Sequence, residues 1–198
     1  MFGRGVRGLR AEPCAADADR AADYGVGVTI HSDHPFLEPE GSRDPVRRFR
    51  GRLGGAVSLW TAGSGTDMAG LTVSSFMVAG GEPARALGLI DPDSDLADTL
   101  AETPRAVVHL LQWGHRDLAD AFAGVAPAPG GPFRMAEFEE SDHGPRLTSA
   151  TTWAEVTVES VTEVGWSLLV TAVVDRVVVG DDAQPLVHRR GRYVRPGD

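Results

Sequence analysis

The stretch from Met68 to Phe76 concentrates side chains that could bind a polar ligand. It offers hydroxyl groups at Thr72, Ser74 and Ser75. Hydroxyl and backbone N–H groups donate hydrogen bonds to a phosphate or to the polar edge of a cofactor, and they bring no charge that must be desolvated. Strand alternation places Thr72 and Ser74 on one face. The same hydroxyls could equally decorate a solvent-facing strand, so the segment alone leaves both interpretations open.

Other groups with catalytic potential do not form a recognised pattern. His31, Asp33 and His34 are close in sequence but lack any known zinc spacing, so we expect no metal site. The single cysteine, Cys14, excludes an intrachain disulfide and argues against thiol catalysis. The chain has no glycine-rich dinucleotide fingerprint between a strand and a helix, and no phosphate-binding loop. Any dinucleotide would therefore bind without a Rossmann site.

Composition and charge narrow the class of partner. The 198 residues suffice for one domain with a sizeable core, and the formal net charge is −9. This charge argues against a surface built to neutralise nucleic acid or anionic lipid, so we expect neither nucleic acid nor membrane as a partner. No apolar run is long enough to cross a bilayer. We expect a cytoplasmic protein.

The first half of the chain predicts an extension, a helix and three strands. Residues 1–42 lack periodicity and indicate a partly flexible N-terminal extension before a domain at 43–198. Asp44 and Pro45 are typical of a helix start. The strands are predicted at 56–61, 68–77 and 86–91 and, as three in succession, favour an antiparallel meander.

The second half predicts two more helices and further strands. Helices are expected at 95–102 and 117–122, and a buried central strand at 106–111. Later strands are expected at 147–159, 168–179 and 186–194, with a turn at 163–167. Because strands outnumber helices, the fold class is mainly β, a partly closed β-barrel with short helices.

An ordered series of segments resembles the FMN-binding split-barrel proteins of the flavin reductase family. No single segment is very specific, but together they cover about three quarters of the chain in the family's order. The segments are 44–49, 55–61, the Gly-x-Thr-x-x-Ser-Phe stretch from Gly70, 83–89, 94–96, 107–111, 118–123, Phe133, 144–147 and 185–193.

The resemblance implies a homodimer of split barrels that holds FMN, or FAD, near the interface and reduces it with NADH or NADPH. Such proteins act as reductase components of two-component flavin-dependent monooxygenases, which implies a partner monooxygenase. The positions that would contact the flavin and its phosphate are Thr72, Val73, Ser74, Ser75, Ser94, Asp95 and His109. His109 could equally be a strand histidine with satisfied hydrogen bonds.

The nicotinamide side departs from the family pattern. Family members often carry Gly-Asp-His in the turn before the long penultimate strand. This chain has Trp166 and Ser167 after Gly165 in the corresponding turn. Trp166 could stack on a flavin or nicotinamide ring, or could plug the barrel mouth. In the closing strand, Arg190, Arg192 and Tyr193 match the family, and the arginines could bind a phosphate or form a solvated edge.

Three functions are consistent with these observations, and the third is an empty barrel that mediates only protein association. The first is a flavin reductase that transfers hydride from NADH or NADPH to FMN, with the reduced flavin either passing to a monooxygenase or reducing a bound substrate. The second is a flavin-binding split barrel that does not turn over nicotinamide, or one that uses a deazaflavin or another electron donor. Ser167, in place of the usual histidine, motivates the second.

Overall fold

The computed structural model describes residues 44–182 and 184–195. The predicted extension at 1–42, Cys14 and the His31–His34 group lie outside the described residues. In chain order the helices are α1 (Pro45–Leu53), α2 (Asp95–Glu102) and α3 (Arg116–Phe122). The strands are β1 (Gly55–Ala56), β2 (Ser58–Ala62), β3 (Ala69–Val73), β4 (Phe76–Ala79), β5 (Arg85–Ile90), β6 (Arg105–Leu110), β7 (Phe138–Glu139), β8 (Arg146–Leu147), β9 (Trp153–Val164), β10 (Ser167–Val178), β11 (Val187–Arg189) and β12 (Arg192–Val194).

Seven strands form one curled antiparallel sheet in the order β3-β2-β6-β9-β10-β5-β4. β3 also contacts β5, although the two are not neighbours in the sheet. The indole of Trp60 on β2 is fully buried and lies against Gly88 on β5. The sheet therefore curls around its own core as a half-barrel, and the absent side chain at Gly88 makes room for the indole.

Helix α2 covers this core. Ser94 caps the helix by accepting a hydrogen bond from the Ala97 N–H, and Leu96 and Leu100 are buried against the sheet. Asp95 and Asp98 lie in the first turn, where negative charge complements the helix dipole. The sequence prediction of a helix at 95–102 is confirmed to the residue.

A second core lies between α3 and two smaller sheets. The three-stranded sheet has the order β1-β11-β12, and β7 pairs with β8. Phe122 on α3 packs edge-on against Phe133 and Phe138 at centroid distances of 4.9 and 6.1 Å. Short 3₁₀ helices at Trp113–His115 and Pro132–Met135 complete this layer.

The mainly β class and the three short helices are confirmed, but the meander is wrong. The predicted strand at 68–77 breaks at Ser74 and Ser75, because β3 pairs with β2 whereas β4 pairs with β5. β3 and β4 thus occupy opposite edges of the sheet. Apolar alternation predicts that a strand exists without predicting its partner, which is why the sequence suggested sequential pairing.

The ends of two later strands also differ from the prediction. The strand predicted at 147–159 begins only at Trp153, because Leu147 pairs with Phe138 in the small β7–β8 sheet. The strand predicted at 186–194 is a tight hairpin, β11–β12. Its turn residues Arg190 and Gly191 both have positive φ, 56° and 76°, which an uninterrupted strand cannot contain.

Replacing Gly88 by alanine is expected to destabilise the fold. A Cβ at this position would lie 2.9 Å from the nearest indole carbon of Trp60, so the rigid ring or the strand must shift. We expect a loss of roughly 1 to 3 kcal/mol in the free energy of unfolding, measured by urea denaturation. Gly114→Ala is the control, since its Cβ meets nothing within 4 Å. Equal stability of the two variants would contradict the packing described here.

Candidate functional site

The strand register brings three predicted segments to one end of the sheet. The carboxyl end of β5 lies beside the Ser74–Ser75 turn, where the Leu89 N–H donates to the Ser75 carbonyl at 2.9 Å. On its other side, Ile90 pairs with Leu168 of β10, so the turn at 165–166 lies next to the same end. Residues assigned to the flavin and to the nicotinamide side are therefore neighbours in the fold, although some 90 residues separate them in sequence.

The small sheet adjoins this end through β1. A Cβ on Gly55 would lie 3.3 Å from the Ser74 carbonyl oxygen, so β1 passes close to the turn that follows β3. Gly55 also pairs with His188 of β11, which in turn pairs with Tyr193 of β12. The hairpin that carries Arg192 and Tyr193 is thus tied to the strand that touches Ser74.

The hydroxyl groups in this region differ in their availability. Thr72 donates to the Ala119 carbonyl of α3 at 2.8 Å, and Ser94 donates to the Asp91 carbonyl at 2.6 Å while capping α2. The hydroxyls of Ser74 and Ser75, by contrast, have no hydrogen-bond partner among the residues that the structure describes. These two remain free to donate to a ligand, whereas Thr72 and Ser94 chiefly fix the elements around them.

A buried hydrogen-bond chain holds the end of β3 in place. The indole N–H of Trp60 donates to the Ser58 hydroxyl at 3.0 Å, and that hydroxyl donates to the Val73 carbonyl at 2.7 Å. Both donors are fully buried. Val73 is therefore positioned through its backbone, and the serines that follow it project from a fixed point. Ser58 and Trp60 were not among the predicted site residues, because a serine two residues before a tryptophan carries no recognisable sequence signal.

Asp95 is poorly suited to contact a phosphate through its side chain. It is exposed and lies at the first position of α2, where its carboxylate would repel another anion. Only its backbone N–H suits that role. The prediction that Ser94 and Asp95 lie near the phosphate therefore depends on the backbone at the start of α2.

His109 has both ring nitrogens engaged in the core. Nδ1–H donates to the Leu59 carbonyl at 2.9 Å, while Nε2 accepts from the Leu147 N–H at 3.0 Å. Burial lowers the pKa of His109 to about 4, an effect that the bond to Leu59 opposes and the positive charge of Arg146 reinforces. The neutral imidazole therefore pins β8 to β6. This geometry favours the structural role that the sequence left open, since no ring nitrogen remains for a cofactor.

Trp166 and Ser167 lie at the tip of the long β9–β10 hairpin. Trp166 is 97% exposed and Ser167 is half-buried. Trp166 does not plug the barrel mouth within the described chain, so its ring faces are available for stacking.

Tyr193 is anchored to α3. Its hydroxyl donates to the Asp120 carboxylate at 2.7 Å, and its ring edge meets His188. Burial and, next, the bond to Asp120 raise the pKa of the tyrosine well above its usual value. Tyr193 therefore positions the hairpin as a neutral phenol, while Arg192 beside it is exposed. Asp120 was missed because nothing in the sequence links it to Tyr193.

Two clefts of the described chain lie elsewhere. One of about 500 Å³ is lined by residues including Glu139, Arg146, Trp153 and Arg176, with both guanidinium groups over the indole. A smaller one of about 320 Å³ lies beside Phe133 and Phe138. Neither is lined by a predicted site residue. The candidate site lies outside both clefts, on a rim where Ser74 and Trp166 are exposed. The described residues contain no group of three potential metal ligands.

Comparison with known proteins agrees with this architecture. The solved NADH:FAD oxidoreductase SgcE6 of Streptomyces globisporus C-1027 superposes with a TM-score of 0.70 at 22% identity, covering 82% of this chain and 98% of that one. BorF, the flavin reductase component of a bacterial two-component tryptophan halogenase, gives 0.68 at 18% identity, covering 77% of this chain and 97% of that one. At these identities the likeness concerns the fold.

The family follows from the sequence comparisons. The model of the flavin reductase like domain matches residues 50–197. Proteins named NADH:FMN oxidoreductase from Rhodococcus erythropolis and Rhodococcus qingshengii are 32% identical over 148 residues, covering 71% of this chain and 74% of each relative. The chain belongs to the flavin reductase-like domain family, as the resemblance implied.

The buried His109 is expected to make stability depend on pH. Because its folded pKa of about 4 lies below the unfolded value, the unfolded state binds the proton more readily, and stability falls as pH drops from about 6.5 towards 4. Between about pH 7 and pH 5, protonation of this one histidine in the unfolded state should lower the free energy of unfolding by about 2 kcal/mol.

The check is urea denaturation at both pH values for wild type and His109→Gln. The variant should lose this part of the pH dependence, whereas His143→Gln, at a partly exposed histidine, should retain it. An unchanged pH dependence in His109→Gln would show that His109 does not titrate as its burial demands.

Proposed function

We propose that this protein is a flavin reductase that binds FMN and reduces it with NADH or NADPH. The observation that carries the proposal is the convergence of the Ser74–Ser75 turn and the hairpin turn at 165–167 beside the end of β5. Relatives named NADH:FMN oxidoreductase support the same activity. A bound flavin supplies the redox chemistry, accepting a hydride at its ring, and the protein supplies position and charge.

The residues at the rim suit an anionic, partly aromatic ligand. The free hydroxyls of Ser74 and Ser75, with the backbone of Val73, would donate to the flavin ring edge or phosphate. Arg192, with Arg190 at the hairpin turn, would offer guanidinium groups to a phosphate. Both arginines are exposed. FAD suits the same donors, because it shares the isoalloxazine ring and the first phosphate with FMN.

The nicotinamide is assigned to the hairpin tip. Trp166 exposes an indole face on which a nicotinamide ring can stack, and Ser167 can hydrogen-bond its carboxamide. Hydride transfer needs the donor ring against one flavin face, and this tip lies at the same end of the sheet as Ser75. Closing the tip over the rim would also exclude water.

A homodimer would close the open rim. The edge strand β4 exposes Met77 and Val78, and the outer part of the β9–β10 hairpin exposes Val161 and Val164 beside Trp166. An unpaired apolar edge strand is a liability in a monomer unless another chain covers it. A second copy on these surfaces would bury them and turn the rim into a cleft.

Reduced flavin would then pass to a partner monooxygenase. Structural neighbours are named as the reductase component of a two-component halogenase and as component B of nitrilotriacetate monooxygenase, which supports this assignment. We place the reaction in the cytoplasm, where nicotinamide cofactors are regenerated. No helix of the described residues is long and apolar enough to cross a membrane.

Ser167 motivates a second candidate function. The family resemblance implies a histidine where this chain has Ser167, whose side chain offers a hydroxyl in place of an imidazole. A flavin-binding barrel without nicotinamide turnover would need no such group, and a deazaflavin or another donor would need different contacts.

The deciding experiment is a visible absorbance spectrum of the purified protein with FMN, before and after anaerobic addition of NADH or NADPH. We expect bound-flavin bands that bleach with a nicotinamide cofactor at a rate well above that of free FMN. Bands that persist would favour the second candidate. Absence of any perturbed flavin spectrum would overturn both.

Substituting Ser75 by glutamate tests the placement of the phosphate. A carboxylate at this turn should repel it and weaken FMN binding by roughly tenfold or more, while the fold is retained because the side chain is only half-buried. Affinity is measured by titration of FMN fluorescence. Ser64→Glu, an exposed serine in the turn at the opposite end of β3, is the matched control and should bind normally. Equal affinities would place the phosphate elsewhere.

A further inference from the structure

The smaller of the two clefts has mostly apolar walls. Its volume of about 320 Å³ lies within the range of sites that bind small molecules. Met68 lines it immediately before β3, and Pro145 lines it immediately before β8. The other apolar walls are Phe133, Ala136 and Phe138. We call the space between these five residues the Phe138 cleft.

The walls of the Phe138 cleft are held in place by the protein around them. Phe133 and Phe138 meet edge to face with ring centroids 5.1 Å apart, and the buried Phe122 of α3 packs against both. Pro145 is buried, and its carbonyl accepts a hydrogen bond from the Thr61 hydroxyl at 2.5 Å. The cleft is therefore preformed, as small-molecule sites usually are.

The polar side chains at the Phe138 cleft are both carboxylates. Glu139 and Glu140 line it, and both are exposed. Glu139 pairs with Arg146 across the β7–β8 hairpin. Glu140, by contrast, forms no hydrogen bond or ion pair through its side chain with the residues at 44–182 and 184–195. The cleft thus combines an apolar cavity with one negative charge that no protein group neutralises.

No arginine of the described chain lines the Phe138 cleft. Arg134 adjoins Phe133 in sequence, but a Cβ on Gly130 would lie 3.0 Å from the Arg134 side chain, so this side chain lies against the loop. The larger cleft shares both glutamates and adds Arg146 and Arg176, so it contains charges of both signs. Negative charge without positive charge is found only on the side of the phenylalanines.

We propose that the Phe138 cleft binds a small apolar amine, a primary ammonium group on an aromatic or aliphatic body. The body packs against the phenylalanine rings and Met68, and the ammonium group pairs with Glu140 at the rim. A neutral ligand would leave this carboxylate unused, and an anion would be repelled by both glutamates. The formal net charge of −9 adds a long-range attraction for a cation.

The Phe138 cleft is separate from the candidate site. Met68 precedes β3 whereas Ser74 follows it, which places the two about 20 Å apart along the strand. None of the residues assigned to the flavin or to the nicotinamide lines the cleft. The proposal therefore does not depend on the proposed reductase activity, and the failure of either would leave the other standing.

A ligand-observed NMR titration of the full-length protein tests the proposal with three probes of similar shape. Phenethylamine carries the ammonium group, phenethyl alcohol is its neutral counterpart, and phenylpropanoate is its anionic counterpart. We expect phenethylamine to bind with a Kd of about 0.1 to 1 mM. The alcohol should bind about threefold more weakly and the anion about tenfold more weakly. Saturating FMN should not displace the amine.

Charge reversal at the rim tests the ionic half of the proposal. Glu140→Lys should weaken phenethylamine binding about tenfold, strengthen phenylpropanoate binding and leave phenethyl alcohol unchanged, because only the charge at the rim differs. Glu163→Lys reverses an exposed glutamate of β9 outside the cleft and is the matched control. It should bind all three probes like wild type.

Filling the cleft tests the apolar half. Ala136→Phe adds a ring among the walls and should abolish binding of all three probes, whereas Ala101→Phe, at an exposed position of α2, should not. Thermal unfolding of each variant verifies that the fold is retained. The proposal is overturned by a wild type that fails to bind the amine at about 10 mM or binds the three probes equally. Displacement of the amine by FMN, or equal weakening in Glu140→Lys and Glu163→Lys, would overturn it as well.

Discussion

The hydrogen-bond chain from Trp60 through Ser58 to the Val73 carbonyl is the interaction on which the candidate site depends. The indole must lie inside the curled sheet to reach Ser58, and it can lie there only because Gly88 has no side chain. Its bond in turn fixes where β3 ends, and the free hydroxyls follow at the next two residues. The core and the rim that carries the candidate site are therefore positioned by the same buried side chain. Each hydrogen bond of this chain contributes a net gain of about 1 kcal/mol.

Patterns within a few residues predicted the helices and most strands. The errors lie in strand pairing, which depends on residues far apart in sequence. The caps at Asp44 and Ser94 are contacts within a few residues, so both helix starts were predicted correctly. The separation of β3 from β4 depends on which strands lie beside them, information that alternation does not carry. The tight turn at Arg190 was missed for another reason: a non-glycine residue with positive φ is uncommon and gives no sequence signal.

The candidate site could be predicted only in part, for a similar reason. The sequence identified Ser74 and Ser75 as hydroxyl donors, and the structure leaves both hydroxyls without a partner among the described residues. The sequence could not distinguish these serines from Thr72, whose hydroxyl is hydrogen-bonded to α3. Nor could it show that both ring nitrogens of His109 are hydrogen-bonded, to Leu59 and Leu147. Residue types indicate what a group can donate, but only packing determines whether that capacity remains available.

The outer part of the β9–β10 hairpin is less stable than the rest of the sheet. Residues 159–166, the outer end of β9 and the turn, are all exposed and connect to the core only through their pairing with β10, where Val161 lies opposite the buried Val170. Such a segment opens at a much lower free energy than the strands around Trp60, and its amide protons should exchange with solvent correspondingly faster. The rim between Ser75 and Trp166 therefore has one rigid side and one that fluctuates, and a ligand that binds there bears the entropic cost of ordering the second.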